Sequence, residues 1–183
     1  PKESDMLSTK ASKAKLERCM VLNLSDIKAK AENGYRLSII EGVGYDWKSL
    51  QLGEPTQPYT DPTAAAAPRV EYNIGKVDAD FVEVTVYTLP FWPLHKGRST
   101  RYGVSVDNSP VQVAETKMKE YSSEWKTMVL QNSAIFKAKF PVSADKDSHT
   151  IAFTCGDPGM IIQRVVIDWG GLKKKYVGPA LQQ

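Results

Sequence analysis

The sequence predicts an all-β protein: an antiparallel, jelly-roll-like β-sandwich with a short N-terminal linker helix. Three observations lead to this class. Short segments of alternating apolar and polar residues recur along most of the 183-residue chain. Gly, Pro, Asn and Asp residues with turn chemistry separate these segments. The segments do not alternate with helices as a parallel α/β sheet requires, so we expect one sandwich of roughly eight to ten strands.

The clearest pair of strands lies within residues 147–176. Residues 149–154 alternate apolar and polar side chains, as a half-buried strand does. Residues 156–159, Gly-Asp-Pro-Gly, predict a turn because Pro fixes φ and Gly accepts positive φ. Residues 160–169 carry β-branched side chains on both faces, which is typical of a strand buried on both sides. We expect these two strands to be adjacent and to bring four core residues together: Ile151, Phe153, Val165 and Ile167.

The N-terminal segment has a different pattern. Residues 4–20 are predicted to be helical, because good helix formers surround a few apolar residues that share one face. That face is too narrow for a helix that lies on a membrane. We therefore interpret residues 1–19 as a linker helix from a preceding domain and residues 20–183 as the β-sandwich.

The other strands follow the same alternation. Three valines share one face of residues 80–88, and residues 134–142 set apolar side chains against lysines. Residues 53–68 contain four prolines, which exclude a helix or a central strand and indicate a long irregular segment. The full set of predicted strands comprises residues 20–24, 36–40, 49–52, 69–74, 80–88, 101–107, 110–114, 134–142, 149–154 and 160–169.

One internal helix is predicted at residues 123–132. Ser123 has the side chain of a helix N-cap, and Trp125, Met128 and Val129 form the stripe that we expect to be buried. The loops between strands are otherwise polar or proline-bearing. We therefore expect helix to contribute little to the core.

Composition excludes several classes of function. Hydrophobic residues make up 42% and charged residues 25%, as in ordinary soluble domains, and no apolar run could span a bilayer. The net charge of +3 comes from scattered lysines, without the basic stripe and interleaved aromatics of a nucleic-acid site. We expect neither a membrane nor a nucleic acid as a partner.

Cys19 and Cys155 could form a disulfide in an oxidising compartment or stay free, and their spacing leaves both possibilities open.

Catalytic constellations are missing from the sequence. Loop carboxylates such as Glu41, Asp46, Glu54 and Asp61 have no spacing that pairs them for glycosidase chemistry. Nucleophile-elbow, P-loop and H-E-x-x-H motifs do not occur. His149, at the head of an alternating strand, is interpreted as structural. The chain alone is therefore predicted not to be an enzyme.

Aromatic residues in two loops are the candidate binding residues. Such side chains stack against sugar rings in binding modules, and they also anchor protein interfaces. We favour the interface and keep the sugar as the alternative, whereas Trp125 and Trp169 are expected in the core. The five candidates are Tyr45, Trp47, Phe91, Trp92 and His95.

Three segments carry a family resemblance. They are HTIAFTCGDPGMIIQRVVIDWGGLKKKYVGP, RYGVSVDNSPVQV and EWKTMVLQN. With looser matches before them, they resemble the C-terminal domain of glycoside hydrolase family 115, the xylan α-1,2-glucuronidases, over about residues 20–180. The resemblance implies a β-sandwich similar to carbohydrate-binding modules of families 6 and 35, with catalysis in an upstream barrel domain.

The resemblance also implies a function. The chain is expected to be a non-catalytic C-terminal accessory domain of a polysaccharide-degrading hydrolase, acting in domain packing and dimer assembly. The alternative is a carbohydrate-binding module for xylan or a uronic-acid-decorated glycan. The implied partners are the upstream catalytic domain of the same polypeptide, a second copy of the chain and plant cell-wall glycan. The implied location is secreted or periplasmic.

Calcium is the one cofactor that the resemblance raises. Related modules carry Glu-x-Glu in the first strand for a structural calcium ion, and here Leu24 and Asp26 stand at those positions. Asp168 matches a late-strand aspartate near that ion. Calcium binds several oxygen ligands at once, so the lost carboxylate weakens the site. We expect no cofactor, with Asp26 and Asp168 as weak calcium candidates.

Overall fold

The computed structural model describes residues 18–30, 35–93, 98–117 and 119–172. Within these ranges the chain forms eleven strands and one short helix. In chain order the elements are β1 (Cys19–Val21), β2 (Lys28–Lys30), β3 (Leu37–Glu41), β4 (Lys48–Leu52), β5 (Arg69–Gly75), β6 (Phe81–Thr88), β7 (Thr100–Val106), β8 (Gln112–Thr116), α1 (Ser123–Gln131), β9 (Ala134–Pro141), β10 (His149–Cys155) and β11 (Met160–Asp168).

The strands form two antiparallel sheets, which confirms the predicted β-sandwich. The first sheet has the order β3-β4-β11-β6-β9, and β1 also pairs with β11. The second sheet has the order β2-β5-β10-β7-β8. Inward-facing side chains of both sheets build one apolar core, as in other sandwiches.

The predicted adjacency of the strands around the 156–159 turn is wrong. β10 is the central strand of the second sheet, between β5 and β7, whereas β11 lies in the first sheet between β4 and β6. The core side chains of these two strands are fully buried, as predicted, but they belong to opposite sheets. Alternation along a strand gives its buried face and does not say which sheet the strand joins.

The turn between β10 and β11 is held by a buried acidic residue. The Asp157 carboxylate accepts a hydrogen bond from Arg101 Nε at 3.0 Å, and its backbone N–H donates to the Arg101 carbonyl at 2.8 Å. Gly156 packs so closely on the Arg101 backbone that a Cβ would collide with it. Gly159 has φ of 90°, which favours glycine.

The proline-rich segment at residues 53–68 packs against the outer side of the second sheet. The Pro62 carbonyl accepts a hydrogen bond from the Thr154 hydroxyl at 2.7 Å. Gly103, on the neighbouring strand β7, lies beneath the same segment, and a Cβ there would collide with the Thr154 hydroxyl and the Val111 side chain. The segment is thus irregular, as predicted, and part of it is buried.

A small second core lies on the outer side of the first sheet. Cys19, Val21 and Val166 are buried together there, with Tyr87 and Leu172 packed against them. Cys19 and Met20 lie in strand β1 rather than in the predicted helix, whose residues 4–17 lie outside the described residues. The division at residue 19 into linker and sandwich stays a prediction.

Helix α1 is confirmed, with two differences in detail. Ser122, rather than Ser123, is the N-cap, and its hydroxyl accepts from the Trp125 N–H at 3.1 Å. Met128 is buried as predicted, but Trp125 is only partly buried and lies outside the core, and Val129 is 43% exposed, so the predicted buried stripe is wrong at these two residues.

Two strand predictions also differ from the structure. β2 was not predicted, because the three residues Lys-Ala-Lys have no apolar alternation to reveal them. β8 begins two residues later than the predicted segment 110–114 and ends at Thr116. The other strand boundaries agree with the prediction to within two residues at most ends, as short strands bounded by turns allow.

The two cysteines are free and buried in different places. Cys19 pairs with Asp168 at the end of β11, while Cys155 directly precedes the turn that leads to the start of β11. Eight residues of strand separate these ends, about 26 Å, and a disulfide needs Cα atoms within roughly 7 Å. Burial raises the pKa of the Cys19 thiol to about 11 and that of the Cys155 thiol to about 12, so neither is a reactive thiolate.

Within the described ranges, no helix has the length and apolar character that a transmembrane span requires.

The first prediction tests the core. Phe153 is fully buried at the centre of the second sheet and meets Tyr72 edge-on at a ring-centroid distance of 6.1 Å. Phe153→Ala should lower the free energy of unfolding by about 3–5 kcal/mol, since it removes a large side chain and leaves a cavity. Urea denaturation of the two proteins measures the difference. Phe81→Ala, which removes a partly exposed ring, is the control and should lower the free energy of unfolding far less. Equal losses in the two variants would show that the buried and exposed strand faces are wrongly assigned.

Candidate binding surfaces

The predicted aromatic candidates belong to two different surfaces. Tyr45 and Trp47 lie in the β3–β4 hairpin loop, and Phe91 and Trp92 follow β6. Phe91 is partly buried against the core, with its ring edge beside Gly159, whereas the other three are exposed. His95 lies outside the described residues.

The hairpin loop at residues 42–47 is anchored by an ion pair. Arg164 extends from a register shift in β11, and its Nη1 lies 2.9 and 2.8 Å from the two carboxylate oxygens of Asp46. The Arg164 side chain is only 8% exposed, so this pair is largely shielded from water. Shielded pairs with good geometry hold their loops more firmly than exposed ones. The loop is therefore fixed over the outer side of the first sheet.

Trp47 stands out on this anchored loop. Its side chain is 72% exposed, and its backbone has φ of 60°, the left-handed region that bulky residues rarely adopt. The Trp47 carbonyl accepts from the Gly42 N–H at 2.8 Å, which closes the loop. Strained backbone of this kind is found most often at functional sites.

Tyr45 begins an apolar strip that crosses the outer side of the first sheet. Its ring meets the Tyr87 ring edge-on, with centroids 6.0 Å apart. Tyr87 pairs directly with Ile135 on the neighbouring strand β9, and Ile135 is 52% exposed. We call these three residues, Tyr45, Tyr87 and Ile135, the tyrosine strip.

The strip leads to a groove between α1 and the start of β9. The groove has a volume of about 400 Å³. Gln163 fixes its position by donating to the carbonyls of Asn132 and Thr88 at 3.0 and 3.3 Å, which ties the end of the helix to the sheet. We call it the α1–β9 groove; its lining consists of Ser123, Glu124, Thr127, Met128, Gln131, Ser133, Ala134 and Ile135.

Glu124 gives this groove a negative charge. Hydrogen bonds from its own backbone N–H and from the hydroxyls of Ser122 and Ser123 hold the pKa of its carboxyl below the usual range. The Thr127 hydroxyl donates to the Ser123 carbonyl at 2.9 Å. Because both hydroxyl hydrogens are used in this way, the oxygens of Ser123 and Thr127 face a ligand mainly as acceptors.

A second surface lies on another side of the same helix. Trp125 contacts Trp92 and Tyr121, with ring centroids 6.1 and 5.2 Å apart. Val129 follows Trp125 by one helical turn, and Tyr121 has φ of 65° immediately before the N-cap. Tyr121, Trp92 and Val129 are 69%, 42% and 43% exposed. We call these four residues, Trp92, Tyr121, Trp125 and Val129, the aromatic helix face.

His149 has the surroundings of a structural residue, in line with its interpretation from the sequence. It is fully buried, and its Nδ1 lies 2.8 Å from Asp107 Oδ2. The other carboxylate oxygen of Asp107 accepts the Thr150 N–H at 3.0 Å, and Lys146 lies 3.2 Å from Oδ2. Burial raises the pKa of Asp107, but hydrogen bonds from His149, Thr150 and Lys146 outweigh burial and lower it.

The second prediction concerns pH. The pKa of Asp107 is lower in the folded state than in the unfolded chain, so its carboxylate stabilises the fold above the unfolded pKa. That stabilisation disappears as pH falls through the folded pKa. The stability lost in Asp107→Asn should therefore be largest near neutral pH and shrink as pH falls below the ordinary Asp pKa of about 3.9. Urea denaturation of both proteins at several pH values measures it, and a difference that does not change with pH would refute it.

The two calcium candidates have separate roles in the structure. Asp168 Oδ1 accepts the N–H groups of Gly170, Gly171 and Leu172 at 2.8–3.0 Å and so closes the turn after β11. Leu24 is buried in the core and its carbonyl accepts from the Tyr72 hydroxyl, while Asp26 is exposed. Within the described residues, no three His, Cys, Asp or Glu side chains converge as a metal site. This arrangement does not fit the structural calcium ion of the related modules.

The third prediction follows from that arrangement. Since Asp168 is already hydrogen-bonded and Leu24 offers no carboxylate, removal of calcium with a chelator should leave the melting temperature unchanged. Differential scanning calorimetry with chelator and with added calcium measures this. A clear fall in melting temperature with chelator would show that other oxygens build a calcium site.

Comparison with protein families identifies the chain. The model of the glycosyl hydrolase family 115 C-terminal domain matches residues 17–181. The chain belongs to this family. This confirms the resemblance in the sequence and makes the chain an accessory domain of the carbohydrate-active type. Comparison with curated proteins gives no match.

Solved structures agree with this family. The chain is similar to a family GH115 4-O-methyl-α-glucuronidase, BtGH115A, described as specific for decorated arabinogalactans, with 29% identity and a TM-score of 0.63. The match covers 80% of this chain and 17% of that enzyme, so the chain spans about a sixth of its length.

Two further structures share the fold. One is a GH26-CBM35 β-(1,4)-mannanase from Podospora anserina, with 8% identity, a TM-score of 0.54, and coverage of 86% of this chain and 29% of that one. The other is a family 35 carbohydrate-binding module from Clostridium thermocellum, with 11% identity, a TM-score of 0.53, and coverage of 81% and 98%. At these identities the likeness concerns the fold alone.

The structure adds residues that the sequence did not single out. Tyr87 and Ile135 complete the tyrosine strip, and Tyr121 joins Trp125 and Trp92 on the helix face. Trp125 and Val129 are four residues apart within the predicted helix, so their spacing could have indicated a shared helix face, whereas Tyr121 precedes the N-cap and joins them through its backbone turn. The pairing of Tyr87 with Ile135 depends on strand register between β6 and β9, which local sequence does not provide.

Proposed function

We propose that this chain is a non-catalytic C-terminal domain of a larger glycoside hydrolase of the α-glucuronidase type, secreted or periplasmic. Its function is to pack against the rest of the same polypeptide. The aromatic helix face is the contact surface in this proposal. A second copy of the chain is the alternative occupant of that surface, in line with the dimer assembly that the sequence resemblance implies.

The exposure of the aromatic helix face carries the proposal. Tyr121 and Trp92 leave much of their side chains in water while their rings contact Trp125 in tilted arrangements. A connected group of large apolar side chains on a soluble domain generally marks an interaction site. Trp and Tyr are also the residues that contribute most to binding energy in protein interfaces.

The composition of this face favours a protein over a sugar. Val129 extends the aromatic group along the helix, and the four residues of this face offer no carboxylate, carboxamide or Ser/Thr hydroxyl to orient a sugar beside the apolar surface. The buried centres of protein interfaces combine aromatic and aliphatic side chains in this way. The Tyr121 ring already contacts the Trp125 ring at a centroid distance of 5.2 Å, so little side-chain freedom is lost when a partner binds.

The remainder of the polypeptide is the occupant that the comparisons favour. The matching family is defined as the C-terminal domain of an enzyme, and in BtGH115A about five-sixths of the chain lies outside the matched part. A segment connected to this domain is present at high effective concentration, so even a modest patch is enough to hold it.

The fourth prediction tests this packing. Hydrogen–deuterium exchange should be slower around residues 119–133 in the full-length polypeptide than in the 183-residue chain alone, because a bound partner covers α1. The double variant Trp92→Ala, Tyr121→Ala should abolish that extra protection in the full-length protein. In the 183-residue chain, Trp92→Ala alone should lower the free energy of unfolding by only about 1 kcal/mol, which is the contribution expected from one aromatic pair.

Two controls make the outcome specific. Phe81→Ala removes a ring of similar exposure from the start of β6 and should leave the protection of α1 unchanged. Light scattering of the 183-residue chain tests for the second copy, and a dimer broken by the double variant would assign the face to that copy instead. Equal exchange of α1 in the chain and in the full-length protein, without a dimer, would refute the proposal.

A further inference from the structure

The α1–β9 groove combines an acceptor-rich edge with an apolar floor. Ser123, Glu124, Thr127 and Gln131 fall on one side of α1 and form the edge, while Met128 and the start of β9 form the floor. Its volume of about 400 Å³ lies within the range of small-molecule sites, roughly 300–1,000 Å³. A ligand that fits has hydrogen-bond donors along one edge and an apolar face.

The charge of the groove restricts that ligand further. Glu124 is ionised, and the lining residues include no Lys, Arg or His. Lys137, which extends from β9 near this side, forms an ion pair with Glu83 at 2.8 Å, and the Glu83 carboxylate offsets its charge. An anionic ligand would meet an unbalanced carboxylate at close range, which disfavours binding. The groove therefore suits a polyhydroxylated ligand without negative charge.

The tyrosine strip extends the groove. Ile135 belongs to both, because it lines the groove and pairs with Tyr87, which contacts Tyr45. Trp47 stands on the same anchored loop as Tyr45 and presents a largely exposed ring. Aromatic side chains offer large apolar faces against which the C–H faces of sugar rings can pack. A chain of linked rings can therefore occupy the groove at one end and the strip at the other.

The site is rigid before any ligand arrives. Gln163 ties the C-terminal end of α1 to β6, and the buried Arg164–Asp46 pair holds the hairpin loop. Asn132 caps α1 through a left-handed backbone with φ of 48°, which directs the chain into β9. Preformed sites lose less conformational entropy on binding than mobile ones do.

We propose that the α1–β9 groove and the tyrosine strip together bind a neutral oligosaccharide chain. The hydroxyls of one sugar unit donate to Glu124, Ser123, Thr127 and the Gln131 amide oxygen, and further units lie along Tyr87, Tyr45 and Trp47. This site is separate from the aromatic helix face, so the sugar-binding proposal does not depend on the proposed packing function. Of the two glycans that the sequence resemblance raised, xylan and a uronic-acid-decorated glycan, the site favours a neutral chain, since Glu124 disfavours an acidic sugar.

The fifth prediction tests the site by calorimetric titration of the 183-residue chain. Xylohexaose is the neutral probe, and the same oligosaccharide carrying glucuronic acid is the acidic probe. The neutral probe should bind more tightly. Gln131→Ala and Tyr45→Ala should each weaken its binding by about fivefold to tenfold, the loss expected for one hydrogen bond or one stacked ring. Glu124→Gln should make the affinities for the two probes more similar, because it removes the carboxylate charge that repels the acidic probe.

The control variant is Lys126→Ala, on the same helix but outside the groove lining, and it should leave the affinity unchanged. Far-ultraviolet circular dichroism confirms that each variant is folded. Three outcomes would overturn the proposal. The first is that xylohexaose does not bind at millimolar concentration, the second is that Gln131→Ala and Tyr45→Ala both bind it with the affinity of the wild type, and the third is that the acidic probe binds more tightly than the neutral one. Failure here leaves the exchange experiment on the aromatic helix face unaffected.

Discussion

The turn between β10 and β11 is the constraint on which the sandwich depends. In four residues it carries the chain from the central strand of one sheet to a central strand of the other, across layers about 10 Å apart. Gly156 and Gly159 allow the tight path, and the buried Asp157–Arg101 contact fixes it to β7. Once the two strands are placed, β5 and β7 add to β10, while β4, β1 and β6 add to β11. The rest of the fold follows from these additions.

Much of this could be predicted from the sequence because it depends on local patterns. The buried valines of β6 and the doubly buried β11 follow from side-chain alternation and from β-branched composition. Sheet membership could not be predicted, because an alternating strand has the same sequence whether its neighbour lies beside it or across the core. The same limit explains why Tyr45 and Trp92 were found as exposed aromatics but their partners Tyr87 and Trp125 were not. Those contacts depend on how distant segments meet.

Helix α1 supports two surfaces of different chemistry. Met128 seats the helix on the body of the domain, with caps at Ser122 and Asn132 at its ends. One flank carries acceptors and a carboxylate, and another carries aromatic rings. A helix of nine residues is marginal in isolation, so its presence depends on these caps and on Gln163. Changes to these supports would alter both surfaces together, whereas changes to a surface side chain would alter only one.

The two ends of the described sandwich lie side by side, with consequences for how the domain is carried. The Arg18 carbonyl accepts hydrogen bonds from the N–H groups of both Trp169 and Gly171, so the first and last described segments meet at one corner. A body attached at a single corner can swing about it, because connectivity fixes its position but not its orientation. Helix α1 lies toward the other end of β11, near Gln163, roughly 17 Å of strand away from Asp168. A contact at that distance restrains rotation of the domain about the corner. A contact close to the corner would restrain it much less.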